Sequence, residues 1–166
     1  MVARPPLLYE IQQTFRAPLP YVYRWLTNYT SQDLALEKED YQRKIIKKSR
    51  RRVIFEDLTD RKTGWEWYRS DVTLYPPNRW HAKLTGNGPT WSLDYRLSTI
   101  SPNQTLVTIR LRIRRRPGVR GEVIPSKAEA EGELRGFWKN FALSLNRDYR
   151  KEARLTPRHL WRRGSP

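Results

Sequence analysis

Residues 105–116, TLVTIRLRIRRR, alternate aliphatic and polar side chains almost without a break. Successive side chains of a β-strand point to opposite faces, so this pattern predicts one strand with an aliphatic face over a core. Its other face carries arginines toward solvent or an anionic partner. Pro117 and Gly118 then end the strand. From about Ser126 the apolar spacing becomes that of an amphipathic helix of roughly thirty residues. The sequence thus predicts a sheet whose last strand leads into one long helix.

The preceding sequence contains further segments that are typical of strands and short helices. A first strand is predicted at residues 7–16, and the prolines at positions 18 and 20 end it and begin a short helix. Ser31 can cap a second short helix that extends to Asp40. Further strands are predicted at residues 41–48, 51–58, 65–75, 79–85 and 90–100, separated by polar, Gly- or Pro-containing turns. The result is an α+β fold with an antiparallel meander, in a single domain spanning residues 1–155, with a basic tail at residues 156–166.

This order of elements resembles the helix-grip fold of the START-related superfamily, also called SRPBCC, which includes polyketide cyclases, pollen allergens and lipid-transfer proteins. The resemblance rests on residues 15–18, FRAP, with the helical residues 22–28 after them, and on the strand, proline break and next strand at residues 72–80. It implies a curved seven-stranded antiparallel sheet wrapped around the C-terminal helix, with two short helices after the first strand. It also implies an apolar cavity between sheet and helix. The superfamily has no universal catalytic signature, so the resemblance transfers no active-site residue.

Large aromatic side chains are the predicted lining of that cavity, because the chain contains seven Trp, nine Tyr and four Phe. The candidate lining residues are Trp80, Trp91, Tyr95, Phe137, Phe141, Tyr68 and Tyr9. For each of them the alternative is ordinary packing in a core. The leading hypothesis is a non-enzymatic carrier or sensor of a hydrophobic small molecule, such as a lipid, a polyketide or an isoprenoid.

The strong positive charge of the chain supports a second hypothesis. The net charge is +16 and the pI is about 10.6, which favours nucleic acid, a ribosome or an acidic membrane surface as partner. Two outward-facing basic regions are predicted, at residues 43–52 and 110–116. The candidate contact residues within them are Lys47, Arg51, Arg110, Arg112 and Arg114. An arginine-rich surface adapted to high temperature is the alternative explanation.

Two tryptophans are predicted on the outer face of one strand, Trp65 and Trp67. Beside arginines they could stack on the bases of single-stranded nucleic acid. Packing under loops or in a dimer interface is the alternative for this pair.

Sequence motifs for catalysis are absent. His81 and His159 lack the spacing of a metal site, no Gly-x-Ser-x-Gly is found, and the absence of Cys excludes disulfides and thiolate chemistry. We therefore predict no catalytic residue, metal or cofactor. A cyclase- or dehydratase-like enzyme remains a third hypothesis, which requires polar groups that converge in the cavity.

Residues 86–88, GNG, predict a turn with glycines at positive φ. Because no signal peptide or run of about eighteen apolar residues is present, a cytoplasmic protein is predicted.

Overall fold

One seven-stranded antiparallel sheet forms the framework of the molecule. The computed structural model describes residues 7–30, 33, 41–61, 64–115 and 126–155. The strands are β1 (Leu7–Phe15), β2 (Tyr41–Lys48), β3 (Arg52–Arg61), β4 (Gly64–Tyr75), β5 (Arg79–Gly86), β6 (Thr90–Ser101) and β7 (Gln104–Arg114). Their order in the sheet is β1-β7-β6-β5-β4-β3-β2, so the first strand pairs with the last and β2 forms the opposite edge.

Two helices are described, α1 (Leu19–Leu26) between β1 and β2 and α2 (Lys127–Leu155) after β7. The predicted helix-grip architecture is thereby confirmed. The second short helix predicted at residues 31–40 lies, apart from Asp33, outside the described residues, as does the tail at residues 156–166. Within the described part of the chain, no helix combines the length and the apolar character needed to cross a membrane.

The alternation of β7 separates the core from the outer face of the sheet. Its aliphatic side chains are buried, whereas its arginines are exposed. The buried set is Val107, Ile109, Leu111 and Ile113. Helix α2 covers this inner face with an aromatic stripe. Within the stripe, Trp138 packs edge-on against Phe15 of β1 at a ring-centroid distance of 6.5 Å.

Helix α2 is fixed at its start and near its end. The backbone N–H of Ser126 donates to the Glu129 carboxylate at 2.8 Å, and the N–H of Glu129 donates back to the Ser126 Oγ at 3.3 Å. This reciprocal pair is a capping box, and its hydrogen bonds lower the pKa of Glu129. Near the other end, the N–H of Arg16 donates to Asn146 Oδ1 at 2.7 Å. The helix therefore holds a defined position across the sheet.

The glycine turn between β5 and β6 differs from the sequence expectation. Among the described glycines only Gly64 has a positive φ, at 116°. Gly86 is needed for a different reason: a Cβ on it would lie 1.8 Å from the backbone oxygen of Trp67. The prediction of positive φ at residues 86–88 was therefore wrong, because close approach of β4 to β5 is what requires the glycine.

Candidate functional site

A partly open cavity of about 390 Å³ lies between the inner face of the sheet and the N-terminal half of α2. Side chains from β3, β4, β5 and β6 form its floor, and α2 forms its roof. Leu26 and Tyr29 close one side, where α1 ends. This volume lies within the range of about 300 to 1,000 Å³ that is usual for small-molecule sites.

Aromatic rings form a large part of the cavity wall. Trp80 of β5 and Tyr95 of β6 are cross-strand neighbours, and their rings stack at 4.5 Å with an interplanar angle of 9°. From the helix, Phe137 and Phe141 stack on each other at 4.6 Å. Trp138 joins the two groups, since it lies 5.8 Å from Tyr95 and 5.5 Å from Phe141. The wall therefore presents flat apolar surfaces from both sheet and helix.

A charged pair occupies one corner of this wall. Arg43 of β2 is opposite Asp57 of β3, and its Nε and Nη2 donate to the two carboxylate oxygens at 2.8 and 2.9 Å. A second carboxylate, that of Asp33, lies 3.6 Å from Nη1. The Arg43 side chain is only 6% exposed, and its guanidinium carbon lies 4.3 Å from the ring centroid of Phe55. Bidentate pairing and the aromatic face together compensate for the desolvation of the charge.

Two hydroxyl groups complete the polar corner. Ser70 of β4 is 1% exposed and lies in register with Phe55 and Leu84. Tyr29 adopts a φ of 40°, a left-handed conformation that is uncommon for an aromatic residue and carries local strain. Burial raises the pKa of Tyr29 above its usual range, although the Arg43 guanidinium and the Trp80 indole oppose the rise. Its hydroxyl therefore stays protonated at neutral pH and can donate a hydrogen bond.

Arg43 corrects one expectation from the sequence. It was assigned to an outward basic region, yet its side chain points inward with Ile45, two residues further along β2. The alternation of side chains along β2 places Arg43 on the same face as Ile45, but the positive charge of Arg43 favoured an outward, solvent-exposed position. Asp57 makes the buried position tolerable, and its pairing with Arg43 depends on the register between two strands, which one sequence does not reveal.

Five of the seven predicted lining residues border the cavity: Trp80, Trp91, Tyr95, Phe137 and Phe141. Tyr68 is not among the lining residues, but its hydroxyl accepts a hydrogen bond from Nε1 of the lining residue Trp91 at 3.3 Å. Tyr9 does not border the cavity. It is 1% exposed in the core, where it is opposite Leu111, because β1 lies at the far side of the sheet.

The five predicted basic-face residues do not form one surface. Arg110 pairs with Glu10 at 2.7 Å, whereas Arg112 and Arg114 lie exposed further along β7. Lys47 and Arg51 are exposed near the opposite edge of the sheet. Strands β3 to β6 separate the two groups, a distance of about 24 Å at the usual strand spacing.

The other singled-out residues that the structure describes lie on the outer face, whereas His159 lies outside the described residues. His81 contacts Asp94 at 2.9 Å, and no group of three metal-ligating side chains is found within the described residues. Trp65 and Trp67 are exposed, and the side chain of Asn87 binds the backbone of both: its Nδ2 donates to the Trp65 oxygen and its Oδ1 accepts from the Trp67 N–H, each at 2.7 Å.

Comparison with known proteins finds similarity in structure but not in sequence. No family model matches the chain, and no curated protein matches it. Among solved structures, the Zhui aromatase/cyclase from Streptomyces sp. R1128 superposes with a TM-score of 0.61 at 15% identity, covering 85% of this chain and 90% of the other. A START superfamily protein from Mycobacterium smegmatis has a TM-score of 0.59 at 10% identity, covering 87% and 97%.

A third similar structure is the di-domain ARO/CYC StfQ from the steffimycin biosynthetic pathway. Its TM-score is 0.65 at 14% identity, and the match covers 87% of this chain and 47% of that longer one. Identities this low establish the architecture alone. The chain has the helix-grip fold of the START-related, or SRPBCC, superfamily.

Proposed function

We propose that this protein binds a hydrophobic small molecule in the cavity between β3–β6 and α2. The observation that carries the proposal is the aromatic wall of a cavity of about 390 Å³ with one polar corner. The similar structures include a START superfamily protein and aromatase/cyclases, which agrees with a ligand of this chemistry.

Apolar burial supplies the affinity in this proposal. About 200 Å² of buried apolar ligand surface would contribute about 5 kcal/mol at 25 cal/mol per Å², before ordering costs. The stacked pair of Trp80 and Tyr95 presents a flat surface, so a planar or fused-ring ligand makes better contact than a flexible chain.

The polar corner orients the ligand. Tyr29 and Ser70 offer hydroxyl groups at the end of the cavity where Arg43 and Asp57 lie. A ligand with one hydroxyl or carbonyl group would place it there and its apolar body among the aromatic rings. An entirely apolar ligand would leave this corner without a new partner and bind less tightly.

Replacing Phe141 with Ala tests the proposal. Phe141 borders the cavity, whereas Leu145, one helical turn later, is fully buried but outside it. Both Phe141→Ala and Leu145→Ala should lower the free energy of unfolding, by about 2 to 5 kcal/mol. Only Phe141→Ala should change the Kd of the neutral fluorescent probe N-phenyl-1-naphthylamine, by about fivefold or more, because it removes part of the wall.

Urea titrations measure the stabilities, and probe fluorescence measures the binding below the unfolding transition. Equal probe affinity in wild type and Phe141→Ala would contradict the proposal and assign Phe141 to packing alone. The same change in both variants would mean that the probe reports loosened packing.

A cyclase-like enzyme is the second candidate. The observation that favours it is the convergence of Tyr29, Ser70 and Arg43 on one end of an apolar cavity. A tyrosine hydroxyl with a raised pKa can donate a hydrogen bond to a ligand carbonyl while the aromatic wall holds the carbon chain of the ligand. Turnover of a bound polyketone, rather than its release unchanged, would distinguish this candidate from a carrier.

A further inference from the structure

A second groove lies on the other side of α2, apart from the cavity. It runs between the end of β1 and the C-terminal half of the helix and has a volume of about 590 Å³. Asn146 anchors its floor, since its side chain accepts the Arg16 N–H at 2.7 Å and its backbone oxygen accepts Arg150 Nε at 3.2 Å. The proposed ligand-binding function makes no use of this groove.

Positive side chains line the groove without an acidic one. Arg16, Lys139 and Arg150 contribute the cations, and none of the other described lining residues carries a carboxylate. All three cationic residues are exposed.

The carboxylates of this half of α2 have partners on α1. Asp148 accepts a hydrogen bond from Trp25 Nε1 at 3.2 Å. Glu152 accepts one from the Tyr21 hydroxyl at 3.3 Å and lies 3.6 Å from Arg24. The helix thus directs these acids toward α1 and leaves Lys139 and Arg150 on the groove side, which gives the groove a positive potential.

The cations are spread along the groove rather than gathered at one point. Lys139 and Arg150 are eleven residues apart, or about 16 Å along the helix axis. Arg16 lies between them, beside Asn146. A single phosphate cannot match such a row, whereas a linear chain of phosphates can.

The floor of the groove supplies apolar contacts. Leu143 is 61% exposed, and Tyr149 is partly buried, with its ring 4.8 Å from that of Tyr21. Sites for single-stranded nucleic acid combine a positive groove along the backbone with an aromatic ring against which a base stacks. An anionic membrane is a flat surface and would contact the rim of a groove rather than its floor.

We propose that this groove binds a short single-stranded segment of nucleic acid, with its phosphates along Lys139, Arg16 and Arg150 and a base against Tyr149. The site is independent of the cavity, so the failure of either proposal leaves the other standing.

Fluorescence anisotropy with a labelled eight-nucleotide oligouridylate tests the proposal. The groove variant is Arg16→Gln/Lys139→Gln/Arg150→Gln. The control is Lys83→Gln/Arg112→Gln/Arg114→Gln, which removes the same charge from exposed positions of β5 and β7 on the outer face. At constant salt, the groove variant should bind about tenfold or more weakly and the control close to wild type. A plot of log Kd against log salt concentration should have a slope about 2 lower for the groove variant than for the wild type. Each of the three lost phosphate contacts contributes about 0.7 to that difference.

Several outcomes would overturn the proposal. Equal losses of oligonucleotide affinity in the two variants would indicate diffuse attraction to a basic protein. A loss only in the control would place the site on the outer face of the sheet. Absence of oligonucleotide binding by the wild type would also contradict the proposal. If the wild type instead binds phosphatidylserine vesicles and the groove variant does not, the groove binds an anionic membrane and the proposal is wrong. Unchanged far-ultraviolet circular dichroism and an unchanged urea midpoint verify that both variants are folded.

Discussion

The buried charge of Arg43 is the residue-scale feature on which the polar corner depends. Its guanidinium is held between the Phe55 ring and two carboxylates, of which Asp57 makes the two short hydrogen bonds. Breaking a buried pair costs far more than breaking an exposed one, because the remaining charge keeps its desolvation penalty.

Asp57→Asn should therefore lower the free energy of unfolding by about 3 kcal/mol. Asp71→Asn is the matched control, since Asp71 makes a similar bidentate contact with Arg52 on the exposed outer face. The control should cost less than about 1 kcal/mol. Urea denaturation at neutral pH measures both.

The double variant Arg43→Met/Asp57→Leu should regain most of the stability lost in Asp57→Asn, because it removes the buried guanidinium together with its main partner. Asp33 is 25% exposed and keeps its hydrogen bonds from Thr30. Equal losses in Asp57→Asn and Asp71→Asn would show that Arg43 is solvated and would contradict the description of the polar corner.

At the scale of elements, glycine has two different roles in β5 and α2. Gly86 permits the close approach of Trp67, whereas a Cβ on Gly136 would meet nothing within 4 Å. The first glycine is a requirement of strand pairing. The second only weakens the helix.

Gly86→Ala should lower the free energy of unfolding by about 2 kcal/mol or more, because the added methyl group forces β4 and β5 apart. Gly136→Ala should raise it by about 1 kcal/mol. Chemical denaturation measures the direction of the change in the free energy of unfolding for each variant. An unchanged free energy of unfolding in Gly86→Ala would refute the proposed packing constraint.

Strands and the long helix could be predicted because their signals are local. The alternation at residues 105–114 and the Ser126–Glu129 cap each lie within one segment. The same alternation and the helical stripe placed five aromatics on inward faces, whereas the cavity itself was an implication of the family resemblance. Arg43 and Gly86 could not be interpreted in this way, because their environments depend on a neighbouring strand: Asp57 in one case and Trp67 in the other.

Across the whole molecule, α2 separates two chemically different surfaces. Its N-terminal half covers an aromatic cavity, and its C-terminal half borders a positive groove. On the outer face of the sheet, by contrast, cations and carboxylates pair across strands, as in Arg110 with Glu10 and Arg52 with Asp71. Among the described residues, positive charge is therefore unevenly distributed, and the net charge of +16 does not by itself reveal where it lies.

The most direct test of ligand binding in the cavity is a ¹⁵N–¹H spectrum of the seven tryptophan indole N–H groups during titration with N-phenyl-1-naphthylamine. The signals of Trp80, Trp91 and Trp138 should shift with a common Kd, because these residues line the cavity. Those of Trp65 and Trp67 should stay in place, because they lie exposed on the outer face. Shifts confined to Trp65 and Trp67, or no shifts at saturating probe, would contradict the account.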